Sequence, residues 1–180
     1  MSAAARTNDT DEDVRASSMS GNREAGRNFD RPRLFFEVEK MSNHYITEAE
    51  IEKVVSDFEG CLTAKEDFHH QQHLVVATSY LQSDGIEGAI ARMRESLVRF
   101  LTYHAVDNRK YNETLTQFWL QIVALELQRL PAKATLLDKC NSILKALDNP
   151  KLASEFYSAE VLWSEEARQM FVEPDLDHWK

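Results

Sequence analysis

The sequence predicts an all-α protein: a bundle of four main helices followed by shorter C-terminal helices, behind a disordered N-terminal tail. Three observations predict this class. Apolar residues recur at spacings of three and four, which places them on one helical face. Helix-capping residues stand at the starts of several of these segments. Apolar and polar residues nowhere alternate, as they would in a strand, for more than a few positions.

The first 31 residues are predicted to be disordered. They are rich in small and polar residues and carry almost no large apolar side chains, so burial cannot offset the entropy of ordering them. Pro32 then precedes RLFFEVEKM, an apolar stretch that could form an extended arm or a brief helix. We therefore predict a tail over residues 1–31 and a single helical domain over residues 32–180. The 180 residues and 43% hydrophobic content suffice for one core.

A capping box opens the first predicted helix. Thr47 and Glu50 stand three residues apart, the spacing at which each side chain bonds the backbone N–H of the other. An amphipathic stripe follows them, so the first helix is predicted over residues 48–61. A second pair with this spacing, Thr63 and Glu66, precedes the next helical segment, although Asp67 could equally cap that segment directly.

The second predicted helix carries FHHQQHLVVATSYL, from Phe68 to Leu81. At 100° per residue, its three histidines fall within about 100° of one another, on the side that also carries the apolar residues. Imidazoles on the buried side of a helix need partners, and three together are hard to explain by packing alone. We expect this cluster to be the functional centre; its members are His69, His70 and His73.

Two more long helices follow. A break at residues 83–85 precedes a third helix, capped by Asp84, whose apolar stripe runs for about five turns to His104. The fourth helix, over residues 111–129, is apolar around most of its circumference. We therefore predict that it is central in the bundle.

The C-terminal part contains three further start signals. Pro131 ends the fourth helix, and Thr135 begins another. Asn149 and Pro150 are an N-cap and first-turn pair for a short helix, and Ser164 begins one more. The last ten residues include apolar and aromatic side chains, so we expect them to fold back on the domain.

Composition excludes several classes of partner. A net charge of −9 argues against nucleic acid and anionic membranes. Cys61 and Cys140 have no CxxC spacing, which indicates neither a disulfide framework nor a cysteine zinc site. No apolar run reaches the roughly 20 residues of a membrane span, and the N-terminus has no signal-peptide core. We expect a cytoplasmic protein with a small-molecule ligand and leave its oligomeric state open.

Short connections make the second, third and fourth helices antiparallel neighbours, so candidate site residues gather at one pole. His70 and His73, at positions i and i+3, can face one ion, and Glu113 would supply a carboxylate. The leading hypothesis is therefore a divalent metal centre holding Fe, Mn or Zn and acting on a small molecule. His104 and Tyr111 would be its acid/base or supporting groups.

Idealised geometry limits this hypothesis. Reflecting the chain about the turn near Asp84 sets His70 level with about Val98, while Glu113 mirrors His104 across the connection between the third and fourth helices. The mismatch is about six residues, or roughly 9 Å at 1.5 Å per residue. Convergence of the three metal ligands therefore requires kinked or tilted helices.

The candidate residues also have structural interpretations. Backbone carbonyls satisfy many buried histidines, and Asn112 followed by Glu113 suits an N-cap with an acid in the first turn. Glu126 lies in an apolar arc of the fourth helix, where a carboxylate must be paired, protonated or ligating.

Two further hypotheses about function stay open. In the first, the protein is a non-catalytic interaction or regulatory module, and its histidines are structural. In the second, the bundle interior binds an apolar ligand in a void lined by Phe118, Trp119 and Met93.

The segments FHHQQHL and YNET together resemble an uncharacterised helical family, in which F-x-H-x-x-H-L precedes a Y-H-E-T motif at the start of a later helix. The resemblance covers about residues 51–130. Asn112 stands where that family has a histidine, so a ligand at that position would be lost here. The resemblance implies a site but no particular reaction; the matching residues are His70, His73, Tyr111, Glu113 and Thr114.

Overall fold

The computed structural model describes residues 44–176, and their fold confirms the predicted all-α class. Within this range there are seven α-helices, one 3₁₀ turn and no strand. The predicted tail over residues 1–31 and the stretch from Pro32 to Met41 lie outside the described residues. The helices are α1 (Glu48–Glu59), α2 (His70–Tyr103), α3 (Glu113–Arg129), α4 (Leu136–Ala146), α5 (Ala153–Phe156), α6 (Ala159–Leu162) and α7 (Glu165–Gln169).

Helix α1 begins at the predicted capping box. The Glu50 N–H donates to Thr47 Oγ1 at 3.3 Å, and the Thr47 N–H donates to Glu50 Oε2 at 3.1 Å. The helix buries Ile51 and Phe58 completely and ends at Glu59, two residues before the predicted end. The second predicted capping box, at residues 63–66, does not start a helix, because α2 begins only at residue 70.

Helix α2 is a helical hairpin that reverses at Gly85, as the predicted break at residues 83–85 required. Gly85 has φ 67° and ψ −175°, a conformation that side chains with a Cβ rarely adopt. The Tyr80 hydroxyl lies 3.2 Å from Ser96 Oγ, whereas sixteen residues of straight helix would span about 24 Å. The first arm, residues 70–84, and the second arm, residues 86–103, are therefore antiparallel.

A polar cluster joins this hairpin to α1. Arg92 on the second arm donates to Glu59 Oε1 at 2.9 Å and to Asp84 Oδ2 at 2.9 Å. Its guanidinium also lies 4.2 Å from the centre of the Tyr80 ring, and the Tyr80 hydroxyl donates to Glu59 at 2.8 Å. Burial raises the pKa of Tyr80 to about 12, so the hydroxyl stays a donor. These contacts hold the turn of α2 against the end of α1.

Helix α3 packs chiefly against α2 and also contacts α4, α5 and α7. The predicted central position is shared with α2, which contacts α1, α3 and α4. Helix α3 begins at Glu113, directly after Asn112, as the interpretation of Asn112 as an N-cap predicted. The Asn112 side chain accepts the Leu115 N–H at 2.8 Å and donates to the Leu162 carbonyl at 2.6 Å. Buried Phe118 and Val123 anchor the helix in two neighbouring apolar clusters.

Helix α4 begins at the predicted Thr135, whose side chain accepts from the Asp138 N–H at 3.1 Å. The helix packs on α1 and α2 and completes the main core by burying Cys140, Ile143 and Leu144. Both cysteines of the chain are free and buried. Along residues 44–176, no helix combines the length and apolar character that crossing a bilayer requires.

The C-terminal part is a series of short helices. The prediction that Asn149 and Pro150 begin a helix is wrong, because Asn149 Oδ1 accepts from the Lys151 N–H in a turn and α5 begins only at Ala153. The predicted start at Ser164 is confirmed, since its side chain caps α7. Helix α6 was not predicted, because four residues are too few to show helical periodicity.

The chain after α7 folds back, as expected, through the last described residue. The Tyr157 hydroxyl donates to the Val172 carbonyl at 2.9 Å, and the Leu176 N–H donates to the Phe156 carbonyl at 3.0 Å. Asp175 accepts the Ser158 N–H at 2.8 Å. The returning segment therefore covers the smaller apolar cluster, which contains Phe118, Ala153, Tyr157 and Leu162.

Candidate functional site

A cavity of about 370 Å³ lies between the two arms of α2 and α3. Its volume is within the roughly 300–1,000 Å³ typical of small-molecule sites. Most of its wall is apolar and comes from side chains of Phe68, Leu74, Met93, Leu97, Leu115 and Trp119. A smaller polar part of the wall is formed by His69, His70, His73, Lys110, Tyr111, Asn112 and Thr116.

His70 is the first residue of α2 and lines the cavity beside Trp119, with the ring centres 4.5 Å apart. Its Nε2 lies 2.8 Å from the carbonyl oxygen of Leu147, the C-cap residue of α4. A carbonyl can only accept, so Nε2 carries the proton, and in the neutral ring Nδ1 has the lone pair. The histidine thus satisfies a carbonyl that the end of α4 leaves without a helical partner.

His73 lies one turn further along α2 and packs against Phe68, with the ring centres 4.3 Å apart. Its Nδ1 lies 2.9 Å from the His69 carbonyl oxygen, so Nδ1 is the protonated nitrogen and Nε2 has the lone pair. Burial lowers the pKa of His73 to about 4. The ring is therefore neutral at pH 7 and offers an acceptor.

The prediction that all three histidines point inward is wrong for His69. This residue is the N-cap of α2, with φ −100° and ψ −175°, and it is exposed at the rim of the cavity. Its backbone N–H donates to Gln72 Oε1 at 3.1 Å. Because an N-cap is outside the helical conformation, the spacing of 100° per helical residue does not apply to it.

Glu113 is buried at the start of α3, and its carboxylate is bound by side chains other than the two inner histidines. Arg94 on the second arm of α2 donates to both oxygens, from Nε to Oε2 at 2.8 Å and from Nη2 to Oε1. Gln117 donates to Oε1 at 2.6 Å, and the Tyr111 hydroxyl donates to Oε2. Burial alone would raise the pKa of Glu113, but the hydrogen bonds from Arg94 and Tyr111 hold it below its usual range.

The predicted acid/base residues lie apart. Tyr111 lines the cavity, but its hydroxyl donates a hydrogen bond to Glu113. Burial raises the pKa of Tyr111 well above its usual value. His104 is the C-cap residue of α2 and is not part of the cavity wall. Its ring packs on Phe100 at 4.4 Å, and its buried Nε2 has no hydrogen-bond partner within residues 44–176.

The predicted metal ligands are only partly brought together. His70 and His73 share the cavity, whereas the carboxylate of Glu113 is bound by Arg94. In the part of the chain that the structure describes, no group of three or more His, Cys, Asp or Glu side chains could hold a metal ion. The metal centre with Fe, Mn or Zn therefore stays a prediction, without support from this geometry.

Glu126 and Arg94 both form ion pairs in the structure. Glu126 forms an ion pair with Arg129, one turn away on α3. Of the three alternatives for this carboxylate, it is therefore the paired one that the structure has. Arg94 belongs to RMRESLVR, which reads as a solvated helix face, and was missed as the partner of Glu113. The Arg94 side chain is half exposed, and Arg94 precedes Glu113 by 19 positions in the sequence. No local sequence pattern therefore identifies the pair.

In comparisons with known proteins, no family model matches the chain, and no curated protein or solved structure is significantly similar to it. The resemblance to the uncharacterised helical family stays a prediction based on its two motifs.

Proposed function

We propose that this protein binds a small, predominantly apolar organic molecule in the cavity between α3 and the two arms of α2. The observation that carries this proposal is a cavity of about 370 Å³ with a largely apolar wall. The proposal develops the apolar-ligand hypothesis with one correction. Met93 and Trp119 line the cavity, whereas Phe118 packs in the separate cluster around Tyr157.

The wall supports binding of an apolar molecule rather than a charged one. His73 is neutral at pH 7, and the charge of Glu113 is already matched by Arg94. Lys110 is the one lysine or arginine among the residues that line the cavity, and it is exposed. A charged ligand inside this cavity would lose its hydration without gaining an opposite charge deep in the wall.

The expected affinity follows from the area that a ligand would bury. A molecule of about ten carbon atoms buries roughly 250 Å², worth about 6 kcal/mol before the costs of association. Dissociation constants of about 50 µM to 1 mM are therefore expected for simple aromatic probes. A ligand that fills more of the cavity would bind more tightly.

Calorimetric titration with naphthalene tests the proposal. Leu97→Trp places a larger side chain in the cavity wall and is expected to weaken binding at least tenfold. Leu127→Trp is the matched control, because Leu127 is equally half-buried against the main core but does not line the cavity. Thermal unfolding confirms that both variants are folded. The proposal fails if the wild-type protein shows no binding or if folded Leu97→Trp protein binds as the wild type does.

The metal-centre hypothesis has a separate test. Metal analysis of the purified protein, and of the His70→Ala and His73→Ala variants, measures any bound Fe, Mn or Zn. Near-stoichiometric metal that both variants lose would favour a metal centre over an apolar-ligand site. A cytoplasmic location and the absence of nucleic-acid and membrane partners stay predictions from composition.

A further inference from the structure

We infer that the ligand carries a hydrogen-bond donor, such as a hydroxyl group, that the unprotonated ring nitrogens of His70 and His73 accept. This inference rests on the proposed function and adds the chemical class of the ligand: an apolar molecule with a hydroxyl rather than a carbonyl, ether or carboxylate. The polar atoms of the cavity wall that lack a hydrogen-bond partner support it.

Each inner histidine donates a ring N–H to a main-chain carbonyl. His70 Nε2 donates to Leu147 at 2.8 Å, and His73 Nδ1 donates to His69 at 2.9 Å. In neutral rings the other two nitrogens, Nδ1 of His70 and Nε2 of His73, can only accept. Neither has a hydrogen-bond partner among the described residues, although both rings line the cavity.

These two nitrogens also keep accessible surface. Among residues 44–176, the only side-chain nitrogen or oxygen that is both fully buried and unpartnered is Nε2 of His104, outside the cavity wall. The free nitrogens of His70 and His73 are therefore reachable by water or by a ligand. They are fixed in orientation, because the opposite nitrogen of each ring is already bonded.

Three side chains of the wall, by contrast, already donate to other protein groups. The Tyr111 hydroxyl donates to Glu113, the Asn112 amide donates to the Leu162 carbonyl at 2.6 Å, and the Thr116 hydroxyl donates to the Asn112 carbonyl at 2.8 Å. A ligand carbonyl or ether would lose its hydrogen bonds to water and, among these side chains, would find only the second amide N–H of Asn112 as a donor. A ligand hydroxyl would find an acceptor.

Three probes with the same aromatic body separate these cases: naphthol, methoxynaphthalene and naphthalene. Naphthol can donate a hydrogen bond, methoxynaphthalene can only accept one, and naphthalene can do neither. In calorimetric titrations of the full-length protein at neutral pH, we expect naphthol to bind about five- to tenfold more tightly than methoxynaphthalene. Equal or weaker binding of naphthol would overturn the inference while leaving the proposed function intact. Absence of naphthalene binding would overturn both.

Two substitutions assign the effect to the histidines. His70→Phe and His73→Phe keep a planar ring but remove the acceptor, so each should reduce the naphthol preference, and naphthalene should still bind. His104→Phe is the control, because it removes an imidazole outside the cavity wall, and it should leave the preference unchanged. A full preference in folded His70→Phe and His73→Phe proteins would overturn the inference. If one variant does not fold, the other and the wild-type probe series decide the question.

Discussion

At the scale of single residues, the pole of the bundle is organised by matched donors and acceptors. Glu113 accepts from Arg94, Tyr111 and Gln117, so its buried charge is fully compensated. The sequence predicted that Glu113, His70 and His73 are site residues at this pole. It could not predict their partners, because Arg94 and the Leu147 carbonyl are distant in the chain and belong to no motif.

Arg94→Gln should destabilise the fold, because it leaves the buried carboxylate of Glu113 without its cationic partner. Removing one member of a buried pair costs about 3–5 kcal/mol, and the half-exposed Arg94 side chain reduces this to about 1–3 kcal/mol. Urea unfolding measures the change in free energy. Arg99→Gln is the control, since Arg99 pairs with the exposed Glu95 and should cost less than about 0.5 kcal/mol. Equal losses in the two variants would contradict this account of Glu113.

His73 should make the protein less stable as the pH falls from 6.5 towards 4. Its pKa is about 4 in the folded protein and near the ordinary 6.5 in the unfolded chain, so the unfolded chain takes up the proton first. The free energy of unfolding should therefore fall more between pH 7 and about pH 5 in the wild type than in His73→Phe. Substitution of the exposed His69 by Phe is the control and should keep the wild-type loss. Identical pH profiles for wild type and His73→Phe would refute the lowered pKa.

At the scale of elements, local sequence chemistry predicted the helices that begin at a side-chain cap, except α6, which Ser158 caps. The starts of α1, α3, α4 and α7 coincide with side-chain caps, and the reversal in α2 coincides with a glycine. Prediction failed where a feature depends on neighbouring elements. The rings of Phe58 and Phe68 stack at 4.3 Å across the connection between α1 and α2, where the Thr63 pair suggested a helix start.

Gly85→Ala should destabilise the hairpin of α2. The conformation of Gly85 costs other residues about 1–3 kcal/mol, and a Cβ at this position would meet no atom within 4 Å, so the loss would be purely conformational. Thermal and urea unfolding measure it. Glu87→Ala, an exposed position just beyond the turn, should change stability by less than about 0.5 kcal/mol. A Gly85→Ala protein as stable as the wild type would show that the turn tolerates another conformation.

At the scale of the whole molecule, the cavity is a product of packing that no single segment encodes. Its wall combines the connection before α2, both arms of α2, the start of α3 and the residue Pro150. The sequence predicted which pole would collect polar side chains. Helix tilt and side-chain size together decide whether facing apolar side chains fill the space between helices. The periodicity of the sequence gives neither quantity, so it could not predict the cavity.

Methyl NMR of the protein labelled with carbon-13 at its methionine methyl groups tests the central claim most directly. Met93 lines the cavity, whereas Met170 is exposed beyond α7. On titration with naphthalene, the Met93 signal, assigned with Met93→Leu, should shift saturably, and the Met170 signal should stay in place. An unchanged Met93 signal at saturating naphthalene, or equal shifts at both methionines, would contradict a ligand site in this cavity.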